Sequence, residues 1–275
     1  SRDEMKQWHL AQKLEKYGSK VKFFVGDVRD KDRLKRVLDG NDIAIHAAAT
    51  KIVPIAEYNP FECIKTNING AANLIEAALD TGIKKVIALS TDKASNPINL
   101  YGATKLASDK LFIAANEIEN KNTTSFSIVR YGNVMGSRGS VIPFFINQAK
   151  NNLITITDSR MTRFMITLEE GIKLVWHALD DMQGGEIYVK KIPSMNIVDI
   201  AKAVSEKCEK SIVGIRPGEK IHEQMIGFED APYTYEYTDY YKILPMLHCL
   251  YKDERMIKDG KLVDSSFTYN SNNNN

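Results

Sequence analysis

The sequence predicts an α/β fold built on a parallel sheet with helices on both faces. Two observations predict it. Apolar runs of strand length alternate with longer segments of helical periodicity, and the polar clusters fall just after the apolar runs, at the carboxyl ends where ligands of such sheets sit.

Taken in order, residues 3–17 read as a helix, and residues 21–25 (Val-Lys-Phe-Phe-Val) read as a buried strand ending at Gly26-Asp27. A short amphipathic helix over 31–38 leads to a strand over 42–47, followed by small residues where a ligand can approach closely. A long helix through Asp80 opens at Asn59, with Asn as the cap, Pro60 in the first turn and Glu62 at N3. Residues 85–89 form the next strand, a helix runs from near Tyr101 to about Ile118, and 126–130 is the strand after it. From about Val134 the pattern loosens. Residues 141–149 look helical, Thr167-Leu168-Glu169-Glu170 is a capping box opening a helix to Leu179, and 186–189 is a strand. A helix over 196–208 and a strand over 212–215 follow, then an aromatic, partly acidic stretch over 233–241. No internal repeat is visible. The reading is one sheet domain over 1–133 and a smaller mixed α/β lobe over 134–275, interleaved with the end of the first.

The 275 residues can bury a sizeable core, and 43% hydrophobic with 26% charged residues is ordinary for a globular protein. A net charge of +2 gives no reason to expect a nucleic-acid or acidic-membrane partner, and apolar stretches such as 86–89 are too short to span a bilayer. The three cysteines, Cys63, Cys208 and Cys249, are odd in number and widely spaced; they suggest no disulfide framework or metal pair, and a reducing cytoplasm. Cys63 and Cys208 read as small core residues on helices. The chain opens on Ser1-Arg2-Asp3-Glu4 without a signal peptide, as though cut from something longer, and the run Asn272, Asn273, Asn274, Asn275 reads as a frayed tail.

The most informative stretch is Leu89-Ser90-Thr91-Asp92-Lys93, then Asn99-Leu100-Tyr101-Gly102-Ala103-Thr104-Lys105. Tyr101 and Lys105 are four apart at a helix start and share one face. An ammonium near a phenol favours the phenolate, which lowers a pKa that is ordinarily about 10, so Tyr101 is expected to act as a base toward an alcohol while hydride leaves the same carbon. The bland alternative is a buried ring beside a solvated lysine. Asp92-Lys93 adds an acid and an amine at the same strand end; an exposed pair of that kind would stabilise by only about 0–1 kcal/mol, a weak reason for its place there.

These runs resemble the extended short-chain dehydrogenases, and within them the inverting UDP-N-acetylglucosamine 4,6-dehydratases of pseudaminic acid biosynthesis. The matching text is 90–94, 96–105, Val53-Pro54-Ile55-Ala56-Glu57-Tyr58-Asn59-Pro60, 130–134, 136–140 and Arg216-Pro217-Gly218-Glu219-Lys220. The resemblance implies a Rossmann-like doubly wound parallel sheet, lacking its first strand and glycine loop here, an NADP-binding domain over 1–133 and a substrate lobe over 134–275. It implies a lyase of nucleotide-sugar biosynthesis for surface glycans or flagellin. In the implied mechanism Tyr101, aided by Thr91 and Lys105, takes the C4 hydroxyl proton as hydride passes to the nicotinamide. Neutral Lys93 then removes the C5 proton, protonated Asp92 helps the C6 oxygen leave as water, and hydride returns to C6 with inversion at C5. Retaining relatives have Asp-Glu where this chain has Asp92-Lys93.

For the cofactor, Ser1 and Arg2, with Lys6 nearby, stand where NAD enzymes place an acidic residue, and a hydroxyl with cations there suits the 2′-phosphate of NADP. Asp27 and Val28 would border the adenine, and Ala47 would let the cofactor in beside Tyr101 and Lys105. His46 reads as either a ligand-facing group or a strand-end histidine, and no metal site is expected. For a UDP-sugar, Lys51, Lys93, Asn133, Arg138, Val141 and Thr157 match positions around the sugar and diphosphate, and Arg216 and Glu219 match the uridine end. The family has Lys-His where this chain has Lys51-Ile52, and ends in Trp where Met161-Thr162-Arg163-Phe164-Met165 ends in Met165. Both departures are placed near the pocket and put the exact sugar in question. Without a glycine-rich loop the 275-residue chain alone is expected to bind NADP poorly and to be inactive. A homo-oligomer is expected by analogy. The competing readings are a sugar C4-epimerase or reductase of the same fold, which needs no extra acid and base, and a non-catalytic dinucleotide-binding sensor, which has no need to keep Tyr101.

Overall fold

The computed structural model describes residues 1–118, 124–246 and 254–274; Cys249 lies outside them. In chain order the first elements are α1 Glu4–Lys13, α2 Lys31–Leu38, β1 Ile43–His46, α3 Val53–Tyr58, α4 Pro60–Ile64, α5 Gly70–Thr81, β2 Lys85–Thr91 and α6 Leu100–Ala114. There follow β3 Ser125–Tyr131, β4 Asn133–Val134, α7 Val141–Ala149, β5 Leu153–Ile156, β6 Thr162–Ile166, α8 Leu168–Asp181 and β7 Ile187–Lys190. The remainder is β8 Ser194–Asn196, α9 Ile197–Val204, β9 Glu209–Ile212, β10 Gln224–Ile226, β11 Thr234–Glu236, β12 Tyr240–Ile243, α10 Glu254–Ile257, β13 Lys261–Leu262 and β14 Tyr269–Asn270.

Among the described residues the main sheet has the order β1-β2-β3-β7-β12-β11-β13. β1, β2, β3 and β7 are parallel, and β12, β11 and β13 extend the sheet antiparallel. β2, β3 and β7 are buried on both faces because their apolar residues alternate between two cores, whereas β1 leaves Ile43 and Ile45 exposed on one face. Val86, Ala88, Phe126 and Ile128 pack with Leu74 and Ile75 of α5 and Phe112 of α6. Ile87 and Val129 point the other way, onto Leu174, Val175 and Ala178 of α8. The capping box at the start of α8 forms as predicted, Thr167 and Glu170 each satisfying the other's backbone amide. A separate core joins α7, β5, β6 and α9 through Phe145, Ile154, Met165 and Ile200, and that lobe faces the carboxyl ends of β1, β2 and β3.

Several predicted elements are not found as predicted. Residues 21–25 form no strand: the Phe24 carbonyl accepts from Gln7 Nε2 at 2.9 Å, that of Val25 accepts from Arg33 Nε at 3.0 Å, and among the described residues backbone pairing alongside is confined to Ser1, whose amine donates to the Phe24 carbonyl at 3.4 Å and whose carbonyl accepts from the Gly26 amide at 3.2 Å. Phe24 and Val25 stay exposed rather than buried. Asn59 does not cap through its side chain, which instead donates to the Ile55 carbonyl of α3, an element not anticipated. The helix after it passes through a π turn, Lys65–Asn69, before α5. The helix predicted over 196–208 stops at Val204, so Cys208 is buried but lies outside a helix. The strand predicted over 212–215 lies earlier, as β9, where it pairs with β5. As far as Asn274 the asparagine tail is held rather than frayed, since Asn274 Nδ2 donates to the Ile192 carbonyl at 2.7 Å and to Ser194 Oγ at 2.9 Å; Asn275 lies outside the described residues.

Candidate active site

At the carboxyl end of β2 the chain turns through a short 3₁₀ segment, Asp92–Ala94, and enters α6 at Asn99, whose Oδ1 accepts from the Gly102 amide at 2.8 Å. Two further bonds fix that entry: Leu100 N donates to Glu57 Oε1 of α3 at 2.7 Å, and Asn99 Nδ2 donates to the Gly218 carbonyl at 2.8 Å. Gly102 is required by the approach, since a Cβ there would lie 2.2 Å from the Lys93 carbonyl oxygen.

This places Thr91, Lys93, Tyr101 and Lys105 on the wall of a single cavity of about 820 Å³ between the sheet and the lobe. Of the predicted substrate residues, Lys51, Asn133, Val141, Thr157, Arg216 and Glu219 line the same cavity, as does Ala47. Arg138 is exposed in the turn between β4 and α7 and is not in the wall, although its neighbours Ser137 and Gly139 are. Ser1, Arg2, Lys6, Asp27 and Val28 are not in the wall either. Arg2 lies 3.5 Å from Asp27, which Arg29 holds at 2.8 Å, and Val28 packs so closely on α5 that a Cβ on Gly70 would meet it at 2.7 Å. Ile52 is in the wall, but Met165 belongs to the lobe's core and not to the pocket, because along β6 it points away from Phe164 into that core. His46 is buried against Phe112 and stays out of the wall; burial, with a smaller push from Lys105, drops its pKa to about 3.

Asp92 is fully buried behind the wall. Its Oδ1 accepts from Thr91 Oγ1 at 2.9 Å and from Lys93 Nζ at 3.1 Å. Burial pushes the Asp92 carboxyl upward; Lys93 opposes this and Glu223 adds to it. Desolvation works against charge on Lys93, but Asp92 and Glu223 more than reverse it and raise the amine. The expected neutral Lys93 is therefore corrected for the resting site: the two acidic side chains beside it favour the ammonium. Burial also pushes the Tyr101 phenol up to about 12, against the opposing pull of Lys93 and a hydrogen bond with Thr91. The expected depression of that phenol by Lys105 does not occur. Lys105 is itself lowered by burial, with Asp109 opposing, and Asp109 is in turn held by Ser90 Oγ at 2.6 Å and Arg130 at 3.5 Å.

Glu223, 2% exposed, is the site residue the sequence did not reveal. Its carboxylate lies 3.1 Å from Lys93 Nζ and 3.8 Å from Arg163 Nε. It follows the Arg216 to Lys220 run without a pattern of its own, and only a contact between distant parts of the chain gives it meaning.

The fold is the Rossmann-type α/β architecture of dehydratases and epimerases of known structure. The chain belongs to the family described as polysaccharide biosynthesis protein, which matches residues 1–245. It is 52% identical over 282 aligned residues to a Campylobacter jejuni protein named UDP-N-acetylglucosamine 4,6-dehydratase (inverting), with all of this chain and 84% of the relative covered. It is 42% identical over 248 residues to a Rickettsia canadensis protein named UDP-glucose 4-epimerase, covering 88% of this chain and 72% of that one. The X-ray structure of Pen from Bacillus thuringiensis superposes with a TM-score of 0.91 at 35% identity, covering 99% of this chain and 84% of that one.

Proposed function

We propose that this protein converts UDP-N-acetylglucosamine to a UDP-4-keto-6-deoxy sugar with inversion at C5, using a nicotinamide dinucleotide, NADP by preference. The observation that carries the reading is the convergence of a hydroxyl–phenol pair, Thr91 and Tyr101, with a buried acid–amine pair, Asp92 and Lys93, at one strand end beside a cavity of about 820 Å³. The 52% identity to a protein of that name supports it, and the resemblance to pseudaminic acid enzymes gives the biosynthetic setting.

The residues fit a nicotinamide cofactor at this end of the cavity: Ala47 and Ala49 keep the wall after β1 low, and Tyr101 and Lys105 reach the same space. The bound nicotinamide supplies reversible hydride acceptance. Lys105 orients the cofactor, while Tyr101, hydrogen-bonded to Thr91, receives the C4 hydroxyl proton. A phenol near 12 holds its own proton at neutral pH, so Tyr101 must release that proton to solvent as it takes the one from the C4 hydroxyl. The ketone at C4 acidifies C5–H, and Lys93 takes that proton once its own has passed to a neighbouring carboxylate. Asp92, whose carboxyl burial raises, acts as the acid and gives a proton to the C6 oxygen as water leaves. Lys51 and Arg216 supply positive charge for the diphosphate and the uridine end, and Asn133, Val141, Thr157 and Glu219 shape the sugar pocket. Arg2 and Lys6 stand for a 2′-phosphate, with Asp27 and Val28 toward adenine.

The test is mass spectrometry of the product formed from UDP-N-acetylglucosamine by protein produced from its complete reading frame. Loss of one water is expected; a product of unchanged mass is the epimerase outcome and would reject the proposal.

A further inference from the structure

Lys93 stands midway between two carboxylates that are not equivalent. Its Nζ is 3.1 Å from Asp92 Oδ1 and 3.1 Å from Glu223 Oε1. The second oxygen of each, Asp92 Oδ2 and Glu223 Oε2, is buried and has no hydrogen-bond partner. A buried carboxylate oxygen without a donor is costly when charged, and a proton on it removes the cost. The two acids differ in their other neighbours. Glu223 also has Arg163 at 3.8 Å, whereas Asp92 has only the Thr91 hydroxyl at 2.9 Å.

Glu223 is also rigidly placed. Its amide donates to Ser271 Oγ at 2.9 Å and its carbonyl accepts from the Ser271 amide at 2.8 Å, just beyond β14. Thr162 Oγ1, 2.7 Å from that same Ser271 hydroxyl, ties the pair to β6. Arg163 spans the loop below by donating to the Lys220 carbonyl at 2.9 Å and the Ile221 carbonyl at 2.9 Å.

We infer that Glu223 is the third member of an Asp92–Lys93–Glu223 proton relay: a positioning residue that carries the counter-charge of Lys93 and takes its proton, leaving Asp92 free to remain the acid. The inference rests on the dehydratase reading above and deepens it. At rest the three groups are carboxylic acid, ammonium and carboxylate, with no net charge. During elimination the Lys93 ammonium passes a proton to Glu223, and the freed amine takes the proton from C5 as the C5–C6 double bond forms. Asp92 protonates the C6 oxygen, and water departs. The relay ends as carboxylate, ammonium and carboxylic acid, again neutral, so no charge is created in a buried site. The other ionisable groups facing this set are Tyr101, Arg163 and Lys220. Lys220 Nζ donates to the Ser95 carbonyl at 2.8 Å, and Arg163 is committed to backbone carbonyls, so neither replaces Glu223 as a proton acceptor. Burial would raise the Glu223 carboxyl, but Lys93 and Arg163 more than reverse it, in keeping with Glu223 as the charged acid at rest.

The test is Glu223→Gln, which keeps shape and a hydrogen-bond acceptor but holds neither charge nor proton. Asp92 must then ionise to pair with Lys93. The expected result is a kcat lower by about 100-fold with KM little changed, and a basic limb of the pH–rate profile moved to lower pH. Difference infrared spectroscopy supplies a readout independent of turnover. Wild-type protein at neutral pH should show a protonated carboxylic acid band that disappears in Asp92→Asn and weakens in Glu223→Gln. Superimposable pH profiles in wild type and Glu223→Gln would overturn the inference. So would absence of the Asp92 band in wild type, a result that needs no folded variant of Glu223. Failure of the wild type to dehydrate UDP-N-acetylglucosamine would instead reject the dehydratase reading and leave the infrared result standing.

Discussion

Tyr101 shows how burial changes what a candidate catalytic side chain can do. Its ring is 9% exposed, packed with Ala56 and Cys63, and its phenol is held near 12. A group so weakly acidic cannot wait as a phenolate at neutral pH, so in the proposed mechanism it releases its own proton to solvent as it takes the one from C4. Tyr101→Phe keeps the packing and removes the oxygen. It should lower kcat by about 100- to 10,000-fold with a melting temperature close to wild type, checked by steady-state kinetics alongside calorimetry. The two motif positions four apart were legible in the sequence because helix geometry fixes their common face. The charge state of Lys93 was not, since it depends on Glu223, which arrives from the loop after Lys220.

At the scale of elements, the site rests on the packing of α6 against the Asp92–Ala94 turn. Gly102 makes that packing possible: an added Cβ would sit 2.2 Å from the Lys93 carbonyl, with the Pro97 ring 3.1 Å away. Gly102→Ala must push the turn and the helix apart at an estimated cost of about 1–3 kcal/mol. It should also shift Lys93 enough to lower kcat by about 100-fold. Thermal melting and kinetics on the one variant check both parts. The same elements mark what periodicity can and cannot give. The strands ending at Thr91 and Tyr131 are legible because both faces are buried and apolar residues fall on both. Residues 21–25 carry a similar run, yet a strand needs a partner of some length, and here Ser1 alone pairs through its backbone while side chains of Gln7 and Arg33 meet the Phe24 and Val25 carbonyls. The short strands β4, β6, β8 and β10 escaped notice because two to five residues are too few to show a period.

Across the whole molecule, the sheet is tied to its outer helices by a buried charge cluster far in sequence from the Asp92–Ala94 turn. Asp181, at the end of α8, accepts from the fully buried Lys242 of β12 at 2.6 Å, from Lys258 at 2.5 Å and from Tyr188 of β7 at 2.9 Å. Burial alone would raise the Asp181 carboxyl, but the two lysines hold it at about 2. A carboxyl depressed in the folded state stabilises above its unfolded value of about 3.9 and loses that contribution as pH falls through the folded one. Asp181→Asn should therefore be less stable than wild type by about 2–3 kcal/mol at neutral pH. The two should converge as pH falls from about 4 to about 2, which urea titrations across that range would show. Nothing in the sequence near Asp181 announces this cluster, because its partners lie on three separate elements. The architecture as a whole was legible at a coarser grain, from the alternation of runs and the placement of polar clusters at their ends.

The central claim is that elimination across C5–C6 follows oxidation at C4 in this cavity. A proton NMR time course of UDP-N-acetylglucosamine turnover in heavy water, again with protein from the complete reading frame, tests it directly. The expected product is a 4-keto-6-deoxy sugar that carries deuterium at C5 and has the inverted configuration there. A C4-epimer that keeps its original hydrogen at C5 would contradict it.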